Sequence, residues 1–510
     1  MSSADASAPW IRIGRTVGFY TRWPVPIPIN GGTPPSDGPG EALPPVRPPV
    51  QLHNTLGRAV EQLKPLRSGE VSIYSCGPTV YRYAHVGNLR TYIFSDLLRR
   101  SLEYLGLRTR QVMNITDVGH LTEDDFDRGE DKMLVSARLE NKSPEEIAEF
   151  YTAAFLEDIR KVNIRPADEY PRATAYIPQM QGLIERLIER GHAYRAGGNV
   201  YYDIASFPEY GKLSGNSVDK LLAGTRGDPD PRKKAPGDFT LWKAAGAKRL
   251  QVWDSPWGSG FPGWHIECSA MSTAMLGERF DIHTGGADNV FPHHEAEIAQ
   301  SEGALGHPVV GCWVHAEHLL LSGARMAKSA GNFFRITEIE EMGHDPLAFR
   351  YLALQARYRA KLNFGLEGLA GADRALRLLR GRVAAWSAEP AAGADGGEAY
   401  AERFRSALAD DLDLPAAMAL VAEVGRAPIP GALKARLLLD FDRVLGLDLD
   451  RDLGERALPA GAAELLRRRE RARAERDYAT SDQLRHELAE MGVQVTDSAD
   501  GQLWKTTGPA

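Results

Sequence analysis

One stretch, YSCGPTVYRYAHVGNLR (residues 74–90), limits what this chain can fold into more than any other. Before it, EVSIY (residues 70–74) alternates and is rich in β-branched and aromatic side chains, which predicts a strand. After it, Leu89, Ile93, Leu97, Leu98, Leu102 and Leu105 recur at helical spacing, which predicts a helix beginning near His85. Cys76 then stands at the carboxyl end of a strand. His85 and Asn88 stand at a helix amino terminus, where unpaired N–H groups and the helix dipole favour phosphate. A metal-capable thiol and an anion site therefore meet at one sheet edge. Alone, each has an ordinary reading: a single Cys is most often a small buried hydrophobe, and a string such as HVGN recurs by chance.

The rest of the chain extends this start. RQVMN (residues 110–114) predicts a second strand, which makes residues 51–124 the first half of a nucleotide-type α/β sheet. Amphipathic helices over residues 143–162 and 175–191, around a short strand at 200–204, read as an insertion covering residues 125–246. The sheet is expected to resume by about Leu250, with strands at 280–283 and 312–315 and a helix from about 292 to 303. The second half-domain spans residues 247–335. Residues 336–386 read as helical and Arg-rich, 387–398 as a small-residue linker, 399–458 as a helical bundle and 459–510 as a small module opening on a basic helix. Residues 1–50 hold about a third of the prolines, in strings such as WPVPIPINGG, and are expected to be a disordered extension or sequence upstream of the natural start. No apolar run reaches the roughly 20 residues a bilayer span needs, and no signal peptide is evident. Three cysteines cannot build a disulfide framework, which fits a reducing cytoplasm. A net charge of -7 argues against indiscriminate nucleic-acid binding but leaves room for a local basic face.

Cys268 in GWHIECSAM, with His293 and Glu297 in FPHHEAE, offers further metal donors. With Cys76 they make an S₂NO set of the kind zinc accepts. His293 and Glu297 are four residues apart and share a helix face, but His294 and Glu295 offer the same donor types one place along, and spacing does not choose between them. HTGGADN (residues 283–289) follows a strand; its glycines allow close approach to a ring, and Asp288 can accept from ribose hydroxyls. SGARMAKSAGNF (residues 322–333) reads as a loop carrying Arg325 and Lys328, a cationic arm able to close on a polyphosphate.

Together these motifs are recognisable. From about Gln51 to Lys505 the chain resembles the cysteinyl-tRNA synthetases, a family of class I aminoacyl-tRNA synthetases. The resemblance is carried by CGPTVYRYAHVGN, NITDVGH, DFTLWK, GWHIECSAM, GGADNVFPHHEAEIAQSE and RMAKSAGNF in that order. It implies a Rossmann-like parallel-sheet catalytic domain with an insertion, then an α-helical tRNA-binding region and a small terminal module. It implies that Cys76, Cys268, His293 and Glu297 hold one Zn2+. Gly77, Thr116, Trp264, His265 and His283 match positions around the bound amino acid. His85 and Asn88 would contact the ATP phosphates, Gly286 and Asp288 the adenosine, and Lys328 the phosphates in the transition state. Asp497 and Trp504 would lie in the anticodon-reading module. Two positions depart from the family pattern: Asn88 replaces the second histidine of the HIGH signature, and Ala327 replaces a serine of KMSKS.

The implied activity is ATP-dependent attachment of L-cysteine to tRNA(Cys) through a cysteinyl-adenylate, with Mg2+ accompanying ATP, in a cytoplasmic monomer. Serine differs from cysteine by one atom, and shape alone discriminates by only about 1 to 3 kcal/mol, so a thiolate-selective metal gives the family a reason for zinc in the pocket. Two other readings compete. A cysteine ligase acting on an amino-sugar would use the same adenylate but lack the tRNA-binding tail, which this chain has. A silent zinc-containing RNA-binding paralogue would have lost His85 and Lys328, and both are present.

Overall fold

The site is carried by a four-stranded parallel sheet and by the point at which the chain reverses its direction of travel across it. The computed structural model describes residues 48–123, 128–216, 230–246, 249–321, 324–325, 333–390, 396–453, 459, 461–498 and 501–506. Nearly all of the expected amino-terminal extension, and Ala327 and Lys328 of the signature loop, lie outside the described residues.

After a short hairpin (Gln51–Asn54 with Ala59–Gln62), β1 (Glu70–Ser75) leads through the Cys76-Gly77-Pro78 turn into α1 (Val86–Tyr104). β2 (Arg108–Met113) returns parallel to β1. The chain then leaves the sheet for α2 (Lys132–Glu140), α3 (Pro144–Lys161) and α4 (Ile177–Glu189). An antiparallel sheet follows, built from β3 (Ala193–Ala196), β4 (Asn199–Tyr202), β5 (Phe239–Ala244) and β6 (Gly260–Pro262) in the order β6-β5-β4-β3. α5 (Trp264–Leu276) brings the chain back to β7 (Phe280–Gly286), α6 (Glu295–Leu305) and β8 (Val310–Ala316). The central sheet reads β8-β7-β1-β2, parallel throughout. From β1 the chain moves outward one way to β2; from β7 it moves outward the other way to β8. The carboxyl ends of β1 and β7 therefore flank the crevice where an open α/β sheet binds its ligands.

Beyond the sheet come α7 (Ile336–Glu341), α8 (Pro346–Ala353), α9 (Leu366–Ser387), α10 (Glu398–Ala409), α11 (Leu414–Arg426) and α12 (Gly431–Leu445). α13 (Ala462–Ala474), α14 (Tyr478–Glu490) and the hairpin of β9 (Val493–Ser498) with β10 (Gly501–Thr506) close the chain. One apolar core runs without a break from Ile73 of β1 and Leu97 of α1 to Leu376, Phe404 and Phe441 of the later helices. A second gathers Tyr74, Cys76, Trp242, Ile266, Cys268 and Met271, so both thiols sit among packed side chains.

The α/β class, parallel sheet and insertion agree with expectation; several bounds do not. β7 runs on through Gly286, because Thr284, Gly285 and Gly286 pair with Val314, His315 and Ala316. The central sheet does not resume at Leu250: β5 and β6 belong to the insertion's own sheet, which continues past residue 246. The helix read from 292 is a wide turn, Val290–His294, broken by extended Phe291, and α6 proper starts at Glu295. The segment read as helical from 336 holds three helices and a short strand, Leu362–Phe364.

Candidate active site and metal centre

Cys76 directly follows β1, and its N–H donates to the carbonyl of Thr284 in β7. Cys268 projects from the second turn of α5, His293 from the wide turn before α6, and Glu297 from the first turn of α6. Residues separated by as many as 221 positions converge here. Cys76 Sγ lies 3.9 Å from Cys268 Sγ and 3.8 Å from Glu297 Oε1, and His293 Nε2 lies 3.1 Å from the same Oε1. One donor atom from each of the four falls within 4.8 Å of all the others, and all four residues are buried. The thiols are free. Two thiols, an imidazole and a carboxylate at this spacing fit a four-coordinate metal ion.

Electrostatics favour the same use. Burial opposes ionisation of Glu297, but His283 and His293 outweigh it and hold the carboxyl down at about 2. Burial likewise opposes charge on His293, yet Cys268 and Glu297 raise it to about 10. The hydrogen bond from Cys76 holds Cys268 below the ordinary thiol range, while burial pushes Cys76 well above it. Of the two thiols, Cys268 is therefore the one whose surroundings ease ionisation.

The choice between neighbouring donors is half resolved. Glu295 turns away, accepting from the backbone N–H groups of Gly211, Leu213 and Ser214. His294 does not: its Nε2 is 3.2 Å from Cys76 Sγ, and with Cys76, His283 and Glu297 it forms an overlapping second donor group. Its Nδ1, however, is bonded to His315 at 2.7 Å, and His315 to Thr55 at 2.7 Å. Burial and the surrounding imidazoles hold His294 neutral and push His315 down to about 3.

Above the cluster opens a cavity of about 380 Å3, lined among others by Cys76, Gly77, His85, Asn88, Trp264 and Asp288. A Cβ on Gly77 would lie 1.7 Å from the carbonyl oxygen of Asn114, so only glycine fits where the turn crosses β2's end. The Trp264 ring covers the His293 ring at 4.5 Å. His265 Nδ1 meets His293 Nδ1 at 3.0 Å. His283 stacks on Trp313 and bonds Glu297 Oε2 at 2.9 Å. Thr116 is buried and does not line the cavity; its hydroxyl donates to Glu267. Gly286 donates its N–H to Asn289 Oδ1 beside Asp288. His85 and Asn88 cap α1 reciprocally: the N–H of Asn88 donates to His85 Nδ1, and that of His85 to Asn88 Oδ1. Burial, then the charge of Arg82, pushes His85 down to about 4, which leaves the ring neutral at physiological pH.

Three residues inside quoted motifs carry more than the sequence alone assigns them. Glu267 of GWHIECSAM is fully buried, accepting from Thr116 Oγ1 at 3.0 Å and bonded to His120 Nε2 at 2.7 Å. His120 of NITDVGH lines the cavity. Asn114 of the same motif completes the chain, donating to Thr116 Oγ1 and accepting from the N–H of Gly77. The available signal was a Glu beside a candidate metal-binding Cys, which spacing alone does not distinguish from a helix surface charge. In the terminal module Asp497 pairs with Arg469 and Arg473, and Trp504 packs beside Gly381 of α9.

The parallel sheet's switch point opens on a capped helix terminus and a buried cluster of donors, and residues 62–374, which contain both, match the family model described as "tRNA synthetases class I (C) catalytic domain", which makes this a class I tRNA synthetase catalytic unit. A solved Mycobacterium tuberculosis methionyl-tRNA synthetase in complex with methionyl-adenylate shares the fold, with a TM-score of 0.51 and 15% identity over 81% of this chain and 96% of that one. Residues 455–504 match the "Cysteinyl-tRNA ligase anticodon binding domain". The cysteine–tRNA ligase of Treponema denticola is 40% identical over 89% of this chain and 99% of its own length. That of a Thermus thermophilus strain is 43% identical over 89% and 98%. The chain belongs to the cysteinyl-tRNA synthetase family.

Proposed function

We propose that this chain attaches L-cysteine to tRNA(Cys) in two steps, and that the buried set Cys76, Cys268, His293 and Glu297 holds Zn2+ in the amino-acid pocket. The observation that carries the reading is that donor set, two thiols among them, placed at the switch point of a class I sheet. A bound zinc ion supplies a site that takes a thiolate in preference to a neutral hydroxyl, so serine is refused without a separate editing domain. The chain's own residues do the rest. Gly77 and Trp264 line the pocket that takes the amino acid, and Thr116, His265 and His283 lie around it. Gly286 and Asp288 receive the adenosine of Mg-ATP, and His85, Asn88 and Lys328 its phosphates. A carboxylate oxygen of cysteine attacks the α-phosphorus, the bond to the bridging oxygen breaks, and its electron pair leaves on pyrophosphate. The terminal ribose hydroxyl of the tRNA then takes the acyl group and releases AMP. No covalent enzyme intermediate is needed; positioning and electrostatic stabilisation lower the barrier. Asp497 and Trp504 belong to the module that reads the anticodon, and the working unit is a monomer.

Among the described residues no helix is long and apolar enough to cross a membrane. The amino-sugar ligase is not favoured, because residues 455–504 match an anticodon-binding domain that such an enzyme does not need. The test supplies labelled cysteine, ATP and zinc to a tRNA transcript bearing the cysteine anticodon and, in parallel, to an amino-sugar. The expected result is acylation of the tRNA alone. Acylation of the sugar alone, or no cysteine-dependent exchange of pyrophosphate into ATP, overturns the proposal.

A further inference from the structure

The geometry points to Arg82 as a further substrate-binding residue of this site, its guanidinium receiving the β- and γ-phosphates of ATP. This rests on the synthetase reading above. Arg82 lies in the loop between the Cys76 turn and α1, and it lines the same cavity as His85, Gly87, Asn88 and Thr91 of the α1 amino terminus. It is half-buried, with its Cζ 5.0 Å from the centre of the Tyr81 ring. Among the described residues no carboxylate pairs with it.

The argument is one of charge. Mg-ATP brings a net charge of about -2 to the cavity, and more negative charge gathers on pyrophosphate as the bond to the α-phosphorus breaks. Neither signature residue at the α1 terminus can answer it with a cation. Asn88 is an amide, and the burial of His85 keeps its ring neutral. Each also spends one polar atom capping the other, leaving His85 Nε2 and Asn88 Nδ2 as the side-chain donors for a ligand. Among the described residues two Lys or Arg side chains line the cavity, Arg82 and Lys132. The Lys132 ammonium lies 6.0 Å from the ring of Trp264, which packs on His293 of the donor cluster. Arg82 stands close enough to His85 for its charge to be felt there. A guanidinium presents a planar fork that suits two phosphate oxygens at once, and a half-buried one loses less of its field to solvent than an exposed one. The loop that holds it is itself held: the N–H of Val86 donates to the carbonyl of Phe334, just after the signature loop, and Arg335 lies over the Tyr83 ring at 4.8 Å.

The test compares the full-length protein with Arg82→Met and Arg82→Lys. Binding of a non-hydrolysable ATP analogue with Mg2+ and of adenosine is measured by titration, beside cysteine-dependent pyrophosphate exchange and single-turnover transfer to tRNA. The expected result for Arg82→Met is a rise of about tenfold or more in the Kd for the analogue, with adenosine unchanged and exchange slowed in proportion. Arg82→Lys recovers part of the loss. Equal weakening of adenosine and analogue makes Arg82 a structural residue and overturns the proposal. So does unchanged analogue binding and exchange with a fall confined to transfer, which assigns the guanidinium to a phosphate of the tRNA. The binding comparison needs neither cysteine nor tRNA, so it decides Arg82 even if the wild-type protein fails the test of the synthetase reading.

Discussion

Of the two thiols in the buried cluster, Cys268 is the one whose surroundings favour the anion, through the hydrogen bond from Cys76 and the charge of His293. Replacing it by Ser substitutes a hydroxyl that stays protonated at neutral pH and breaks the two-sulfur set. Cys268→Ser is expected to lower metal affinity by more than the ten- to hundredfold typical of losing an outer hydrogen-bond partner, and to abolish cysteine activation with it. Metal content per chain and pyrophosphate exchange measured on the same preparation check this, and a variant with full metal and full exchange rules out the ligand assignment. Glu267 makes a separate prediction. An amide in its place has one oxygen where the carboxylate offers two, so either Thr116 or His120 faces an N–H instead of an acceptor. Glu267→Gln is expected to cost about 1 to 3 kcal/mol, seen as a raised KM for cysteine with metal content unchanged. If the KM does not move, the chain from Gly77 to Glu267 is only packing.

At the scale of elements, α3 carries a carboxyl that resists ionisation. Asp158 is 5% exposed and makes no hydrogen bond among the described contacts, and burial pushes it up to about 6, with Lys161 and Arg335 opposing the shift. The ordinary value of 3.8 is lower, so the folded state prefers the neutral acid. The stability contributed by keeping it neutral is fully present below about pH 4 and is lost as pH rises through 6. Asp158→Asn removes that loss: at pH 8 the variant is expected to gain about 1 kcal/mol after allowance for solvent screening, and near pH 4 almost nothing. Chemical denaturation at the two pH values checks the sign, and equal stabilities at pH 8 sink the assignment. Sequence made these helices legible and some strands less so. Capping signals such as Ser143 with Pro144 and Glu146 announce α3, whereas Thr284-Gly285-Gly286 reads as a turn and becomes strand only because β8 lies alongside to pair with it. The wide turn at Val290–His294 has no local code; it lets His293 and Glu297 face one point although one precedes α6 and the other lies within it. The four candidate donors were named through a resemblance between motifs, but no spacing rule predicts that Cys76 and Cys268 stand 3.9 Å apart.

The whole molecule is joined through one buried guanidinium. Arg350 of α8 is 0% exposed, and its nitrogens reach three other parts of the chain. Nε donates to the carbonyl of Leu445 at the end of α12, and NH1 to those of Val162 and Asn163 after α3; NH2 meets Asp96 Oδ2 of α1 at 2.6 Å. Arg100 shares that carboxylate, and the backbone N–H of Arg165 takes its other oxygen. Space is cut to fit: a Cβ on Gly446 would come within 2.9 Å of the guanidinium, and its φ of 63° is one that glycine adopts without strain. The hub ties the helical region to α1, whose far end carries His85 and Asn88, so the two parts share one core and one ion network. Arg350→Met fills much of the volume but leaves Asp96 with Arg100 as its one guanidinium partner and strips the carbonyls of Leu445 and Val162 of their side-chain donor, while that of Asn163 keeps Arg100. Breaking a buried pair in this way costs about 3 to 5 kcal/mol, because the remaining charge keeps its desolvation penalty. Asp96→Asn should be costly alone but cost less once Arg350 is gone, since one of the carboxylate's two guanidinium partners is then already lost. A double-mutant cycle by denaturant unfolding, with one transition followed by two probes, should return a coupling of at least about 1 kcal/mol. Additive losses, or a helical region that unfolds apart from the sheet at unchanged cost, would mean that Arg350 packs locally and does not join the two halves.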